Sequence, residues 1–401
     1  MARKMKDSGI EWIGEIPERW EIVPVRSCFD EVRTKNTNGQ EQNALQFKSG
    51  NIISKTNFNA SMDDYVADTI TNYTVVLPDT VMINGLNLNY DFKSLRVALV
   101  KEKGVITSAY LAIFPDRKKI SPQYATYLFK GYETKMAFHN MGAGIRKTLG
   151  YKEFKNQPLL LPSEKEQNKI SAYLDSKCSH IDIMLSKIRS SIEEYKKLKQ
   201  AVITQAVTKG VRGKREMKDS GVEWIGEIPA EWSIAKAKYY VTITHGSDPK
   251  TEGSIPVYGS GAESFKTCGE YKEGPTVLIG RKGATLHIPH YIEGKYWNVD
   301  TAFDVKAKNN FSLPYYYYLA TSFDYKFYIA QTTLPGMTQS NYYNMFLPLP
   351  TFPEQEEIVN YLDAKCAEID GLIAKKEQLV RELESYKKSL IYEVVTGKRE
   401  V

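Results

Sequence analysis

MKDSGIEWIGEIPERW, Met5 to Trp20, returns as MKDSGVEWIGEIPAEW, Met217 to Trp232. The shift is 212 residues, thirteen of the sixteen positions are identical, and both tryptophans recur. A chain of 401 residues that repeats itself near its midpoint reads as two copies of one unit.

Outward from each head the same parts follow in the same order. Residues 21–161 are β-rich, with short apolar runs such as Tyr73 to Leu77, Val81 to Ile83, Arg96 to Val100 and Ala109 to Phe114, punctuated by Asn, Gly, Pro and Asp. A helix is expected after Ser121-Pro122, then a basic Gly loop, Gly142 to Lys147, and a strand at Leu159 to Leu161. At residue 163 the pattern changes. Ser163 and Glu166 have the spacing of a capping box. Apolar residues then step by three and four: Leu174, Cys178, Ile181, Leu185, Ile188, Ile192 and Tyr195. That is a coiled-coil seam, with Gly210 as the stop. About 45 residues at 1.5 Å each make a rod of roughly 65 Å, which needs a partner along its length.

The second copy begins after a basic linker, Arg212 to Arg215. Residues 233–350 differ in sequence from the first domain but keep its order. Thr276 to Ile279 stands for Thr80 to Ile83, Ala302-Phe303 for Ala109-Tyr110, and Pro314 with its Tyr run for Pro122, at shifts of 196, 193 and 192. The run Tyr315 to Tyr318 reads as the start of a half-core helix rather than a base-stacking platform. Thr351 and Glu354 repeat the capping box, and Leu362, Cys366, Ile369, Ile373 and Leu383 continue the seam. Glu354-Gln355, Tyr361-Leu362-Asp363 and Ile369-Asp370 match the first helix at a shift of 188. Tyr386-Lys387-Lys388 matches Tyr195-Lys196-Lys197 at 191, which predicts a first helix three residues shorter between those points. The domains are therefore expected at 1–162 (first β-rich domain with its head), 163–210 (central helix), 211–350 (linker, second head and second domain) and 351–401 (distal helix). The C-terminal Gly397-Lys398-Arg399-Glu400 echoes the Gly213-Lys214-Arg215-Glu216 that leads into the second head, so the order of parts is cyclic.

Net charge is +6 and the pI about 8.7, which permits a polyanionic partner without demanding one. The 27 tyrosines suit either binding surfaces or plain sheet. Cys28, Cys178, Cys268 and Cys366 form no C-x-x-C pair and read as small core residues in a reducing compartment. No signal-like segment or membrane span is visible, so a cytoplasmic protein is expected.

Two heptad helices bury their seams most simply against each other. The fold class expected is α+β: two β-rich globular domains separated by two long helices pairing as an antiparallel coiled coil, with pseudo-two-fold symmetry. A symmetric frame carrying two unlike domains suits duplex DNA read at two spaced half-sites. The order Leu-Pro, Glu-Gln, Tyr-Leu-Asp, Ile-Asp, Tyr-Lys-Lys and Val-Thr-Gly-Lys, with the E-W-I-G-E-I-P-x-x-W head, closely resembles the specificity subunit of Type I restriction–modification systems over the whole chain. The resemblance implies two target recognition domains, each reading one half of a bipartite DNA sequence, and helices that set the spacer. It also implies two modification (methyltransferase) subunits docked on the helices, two restriction (translocase/nuclease) subunits, and no catalysis by this chain. S-adenosylmethionine, Mg and ATP would sit on those partners, with no cofactor here.

Readout needs side chains that reach base edges, and phosphate contact needs cations and free amides. Arg281 and Lys282, between two glycines after a strand, fit the second role, although a basic hairpin turn in water looks the same. Thr338, Gln339 and Asn341 occupy a loop before the last strand, the place held in the first domain by Arg146 and Lys147. Asn84 and Asn87 follow the strand equivalent to the one before Arg281, and Lys48 lies at another turn. The rival reading is a metal-dependent nuclease: Asp79, Asp91 and Lys93 mimic a P-D…[DE]-x-K site, where two carboxylates hold Mg²⁺. The second domain lacks that pattern, and the sequence has no phosphate-binding G-x-x-x-x-G-K-[ST] loop.

Overall fold

A computed structural model describes residues 3–48, 50–55, 70–145, 147–261, 263–308, 310–325, 328 and 336–401. The chain divides into two compact units, residues 1–187 with 379–401, and residues 188–378. The division cuts through both long helices, Glu164–Lys209 and Phe352–Val395, so each helix contributes a segment to each unit.

In unit 1 the head is a small antiparallel hairpin, Met5–Asp7 with Glu15–Pro17. Strand Glu21–Pro24 pairs with Pro158–Leu161, so the β-rich domain begins and ends side by side. Between them lies a four-stranded sheet in the order Phe29–Glu31, Leu111–Pro115, Val81–Ile83, Val97–Leu99, next to helix Pro122–Thr134, which Ser121 caps. Unit 2 repeats this with different residues. The hairpin is Met217–Asp219 with Glu227–Pro229, and the closing pair is Ser233–Lys236 with Phe346–Leu349. The sheet order is Val241–His245, Ala302–Ala307, Thr276–Gly280, His290–Ile292. Helix Leu313–Ser322 buries Tyr315, Tyr316 and Tyr318, so the tyrosine run is core. Unit 2 adds a second four-stranded sheet built around Ile255–Tyr258 and Lys295–Asn298.

Register corrects one sequence equivalence. Ile83 faces Leu111 across the first sheet, and Ile279 faces Phe303 across the second. Phe303 therefore answers Leu111, at the shift of 192 that also relates the two helix prolines. The pairing of Ala302 with Ala109 was one residue out, and a one-residue slip would exchange the faces of the strand.

The repeated polar motifs serve as clasps between helix and domain. The Trp20 indole N–H donates to Glu166 Oε2 (2.9 Å), while Arg3 pairs with Oε1 and lies over the ring. In unit 2 Trp232 donates to Glu354 Oε2 (3.0 Å) and Arg215 takes Oε1 (2.6 Å). Both carboxylate oxygens are thus engaged by the head. The capping boxes expected from Ser163/Glu166 and Thr351/Glu354 give way, because a buried indole N–H and a guanidinium outcompete a helix-start amide that water can reach. The adjacent glutamines hold the domain helices. Gln167 accepts from Ser121 N and Gln355 from Ser312 N, both at 2.8 Å. The Tyr-Leu-Asp motifs do likewise, through Tyr127 to Asp175 (2.7 Å) and Tyr318 to Asp363 (2.5 Å).

Among the seam positions, Leu174, Cys178, Ile181, Leu185, Ile192, Leu362, Cys366 and Ile369 are buried, and Ile188, Tyr195, Ile373 and Leu383 are half-buried. In unit 2 the Lys376 ammonium lies over Tyr195, Lys199 pairs with Asp370 and Arg212 with Glu357, so the helical segments run antiparallel. Unit 1 contains the reciprocal pair, Asp182 with Lys387 (2.6 Å). Asp182 and Asp370, like Lys199 and Lys387, are 188 residues apart, and so are the terminal Thr208 and Thr396, which both bond the carbonyl four residues back. The helices stay in one register to their ends. The Tyr-Lys-Lys match at 191 is a motif displaced by nearly one turn, and the first helix is not three residues shorter. A true three-residue deletion would turn the rest of the helix by roughly 60° and swing its seam off the partner.

Candidate nucleic-acid interface

In unit 2 strand Thr276–Gly280 runs off the sheet into Arg281-Lys282-Gly283. Gly280 is required there: a Cβ would stand 2.2 Å from the Leu286 backbone. Arg281 N donates to Thr301 O (2.8 Å), Met337 N donates to Arg281 O (2.9 Å), and Lys282 bridges to Gly336. The two loops singled out in this domain are therefore stitched together. The Arg281 guanidinium donates to Asp300 O (3.1 Å), and Lys282 is exposed. Thr338, Gln339 and Asn341 hold the loop itself. Thr338 caps the short helix Gln339–Asn344 by accepting from Asn341 N (3.0 Å). Gln339 donates to Ile243 O (2.6 Å) and Asn341 to Tyr328 O (3.0 Å).

Unit 1 brings the equivalent loops together. After strand Val81–Ile83, a Cβ on Gly85 would stand 2.4 Å from Leu149 O, and Leu149 N donates to Gly85 O (2.9 Å). Leu88 N donates to Lys147 O (3.1 Å), and the Asn89 amide donates to Ile145 O (3.1 Å). Ala143 and Thr148 exchange both backbone hydrogen bonds, which pairs the two sides of this loop. Lys147 and Asn87 are exposed and Asn84 is half-buried; Arg146 lies outside the described residues. Lys48 is exposed beside a hairpin turn whose Gly50 packs on Leu95, at the far end of the same loop.

One residue that sequence reasoning passed over holds this loop. Arg96 is 1% exposed, and its guanidinium donates to Asn84 O and Leu86 O (2.9 Å each) and to Asp91 O. A charge opening the apolar run to Val100 was the available signal, since a buried arginine must find acceptors. Its backbone N–H donates to Glu133, whose carboxyl burial pushes up to about 7. The loop also presents Tyr90 (73% exposed), Phe92 (56%) and, from the neighbouring loop, Ile145 (94%). No residue-type pattern marked these apolar tips.

The nuclease constellation does not assemble. Asp79 pairs with Arg117 (2.6 Å). Asp91 accepts from the Lys93 and Ser94 amides, and the hydrogen bonds from Ser94 hold its carboxyl down to about 2. Among the described residues no group of His, Cys, Asp or Glu could hold a metal ion. Among the described residues no helix is long and apolar enough to cross a membrane.

A family model for the Type I restriction modification DNA specificity domain matches residues 235–381. A putative type I restriction enzyme MjaX specificity subunit from Methanocaldococcus jannaschii is 23% identical, over 96% of this chain and 95% of its own length. The type I restriction enzyme MjaVIII specificity subunit of the same organism is 22% identical, over 96% and 93%. The chain is similar to the Type I specificity subunits over nearly its whole length, and its residues 235–381 match their DNA specificity domain. DNA sequence specificity is the function of that family, and nothing supports the nuclease alternative. Two solved structures share the fold. A chain from work on complex assembly and conformational transition of the type I R-M system has a TM-score of 0.71 at 14% identity, covering 96% of this chain and 99% of that one. The HsdS subunit from Thermoanaerobacter tengcongensis has a TM-score of 0.51 at 15% identity, covering 98% and 100%.

Proposed function

We propose that each unit of this specificity subunit reads one half of a bipartite duplex DNA target through its stitched loop pair. The observation that carries this is that two unlike sequences build the same sheet, and from the same strand of it project loops bound to the same second loop. Constant helices with divergent loops match a division between assembly and readout. In this reading the helices set the spacer. The modification subunits dock on the outward apolar side chains, Ile183 and Met184 in unit 1, Leu198 and Leu372 in unit 2. Restriction subunits complete the complex in the cytoplasm. S-adenosylmethionine, Mg and ATP act on the partners, and this chain catalyses nothing.

Methylation mapping of DNA from cells with and without the protein tests the reading. A two-part motif with a fixed spacer should vanish with the gene; a continuous motif, or none, would sink the proposal. Purified chain with Mg²⁺ and plasmid DNA should leave the plasmid intact.

A further inference from the structure

Ile145 is 94% exposed on a turn whose backbone is tied down on both sides by hydrogen bonds. Ala143 and Thr148 close the turn with two backbone hydrogen bonds. Lys147 N donates to Gly144 O (3.0 Å), and Gly144 takes the turn at φ +82. Asn89 grips the Ile145 carbonyl, and Leu149 is locked against Gly85. The backbone beside Ile145 is thus bonded on both sides, while its side chain stands almost wholly in water. Folding gains nothing from leaving Ile145 in water beside the exposed Tyr90 and Phe92 of the loop that Asn89 ties to it, and an apolar crest of this kind points to an occupant.

Resting on the reading that unit 1 recognises DNA, we propose that Ile145 reads a thymine methyl in the major groove of the first half-site. The side chain can neither donate nor accept a hydrogen bond, which excludes the polar base edges. The 5-methyl of thymine is the one apolar group that a base edge presents there. Exposed Lys147 beside the tip and Lys93 on the adjoining loop supply charge for the flanking phosphates. Tyr90 and Phe92 extend the apolar crest on the loop that Arg96 braces. A short branched side chain on a braced turn discriminates by position, since a shift in register would leave it against a polar edge.

The experiment uses the full chain assembled with its modification subunits and duplexes carrying the mapped target. Each thymine of the first half-site is replaced in turn by deoxyuridine, with wild type and with Ile145→Ala. One position should weaken wild-type binding about 3- to 10-fold, the scale of one buried methyl. Ile145→Ala should lose about as much on thymine DNA and nothing further on uracil DNA. Its salt slope should match wild type because no counterion contact is removed, whereas Lys147→Ala should lower the slope by about 0.9 on every duplex. Ile145→Val, which keeps both branches, should retain most of the affinity. Losses that add, or a half-site in which no uracil weakens wild type, would overturn the methyl contact, including in favour of a wedge between base steps. Failure of the underlying reading shows differently: scrambling the first half-site would then leave wild-type binding unchanged.

Discussion

Glu354 is 2% exposed between the Arg215 guanidinium and the Trp232 indole. Removing its carboxylate strands a part-buried cation and a buried N–H donor. Glu354→Ala should therefore cost about 2–4 kcal/mol in chemical denaturation, while Glu357→Ala, which breaks an exposed pair with Arg212, should leave the denaturation midpoint almost where it was. Glu133 makes stability depend on pH. Its buried carboxyl titrates at about 7 rather than the usual 4.5, so the folded chain holds a proton that the unfolded chain has released between those values. Stability should fall as pH rises from 4.5 to 7 and level off above, by on the order of 3 kcal/mol. Glu133→Gln should flatten that window in thermal melts; an unchanged profile would assign the pH dependence elsewhere. At the loops, Arg281→Ala with Lys282→Ala should weaken binding to all duplexes alike and lower the salt slope by about 1–2, read by titration across salt concentrations. Unchanged affinity would move the phosphate contact away from this turn.

The helices are where sequence periodicity and structure agree most closely. Residues spaced by three and four are buried because that spacing returns to one face of a helix every turn or two. Their polar repeats needed the structure. Glu166 read locally as helix-start chemistry and Gln167 and Asp175 only as repeated motifs, and each proves to bind a head or domain residue far away in sequence. The reciprocal pairs Asp182–Lys387 and Lys199–Asp370 likewise show one register where the Tyr-Lys-Lys motif had suggested two. Inserting four residues near Ser186 lengthens the helix by roughly 6 Å and turns it by about 40°. Methylation mapping should then show a changed spacer with both half-sites intact, and a changed half-site would break the division of labour between helix and domain.

At the scale of the whole chain, the two units are built alike from unlike domains. Exchanging residues 21–161 for the matching domain of another specificity subunit should change one half-site and leave the other and the spacer as they were, again by methylation mapping. The exchange is feasible because strand Glu21–Pro24 pairs with Pro158–Leu161, which brings the domain ends together. A change at both half-sites would mean that the domains do not read independently.

The sequence alone determined the repeat, the two helices and their seams, the divergent segments and, through the head and helix motifs, the likeness to Type I specificity subunits. These rest on periodicity and on residues near each other in the chain, which local rules describe well. Tertiary structure decided which polar groups remain available and which loops meet. Gln339 and Asn341, candidate DNA contacts in the sequence, each spend an amide N–H on a backbone carbonyl, of Ile243 and of Tyr328. Arg96, some fifty residues from Ile145, braces the loop whose Asn89 grips the Ile145 turn. Contacts between residues so distant in sequence depend on how strands register and where glycines let backbones close, and no local pattern carries that information.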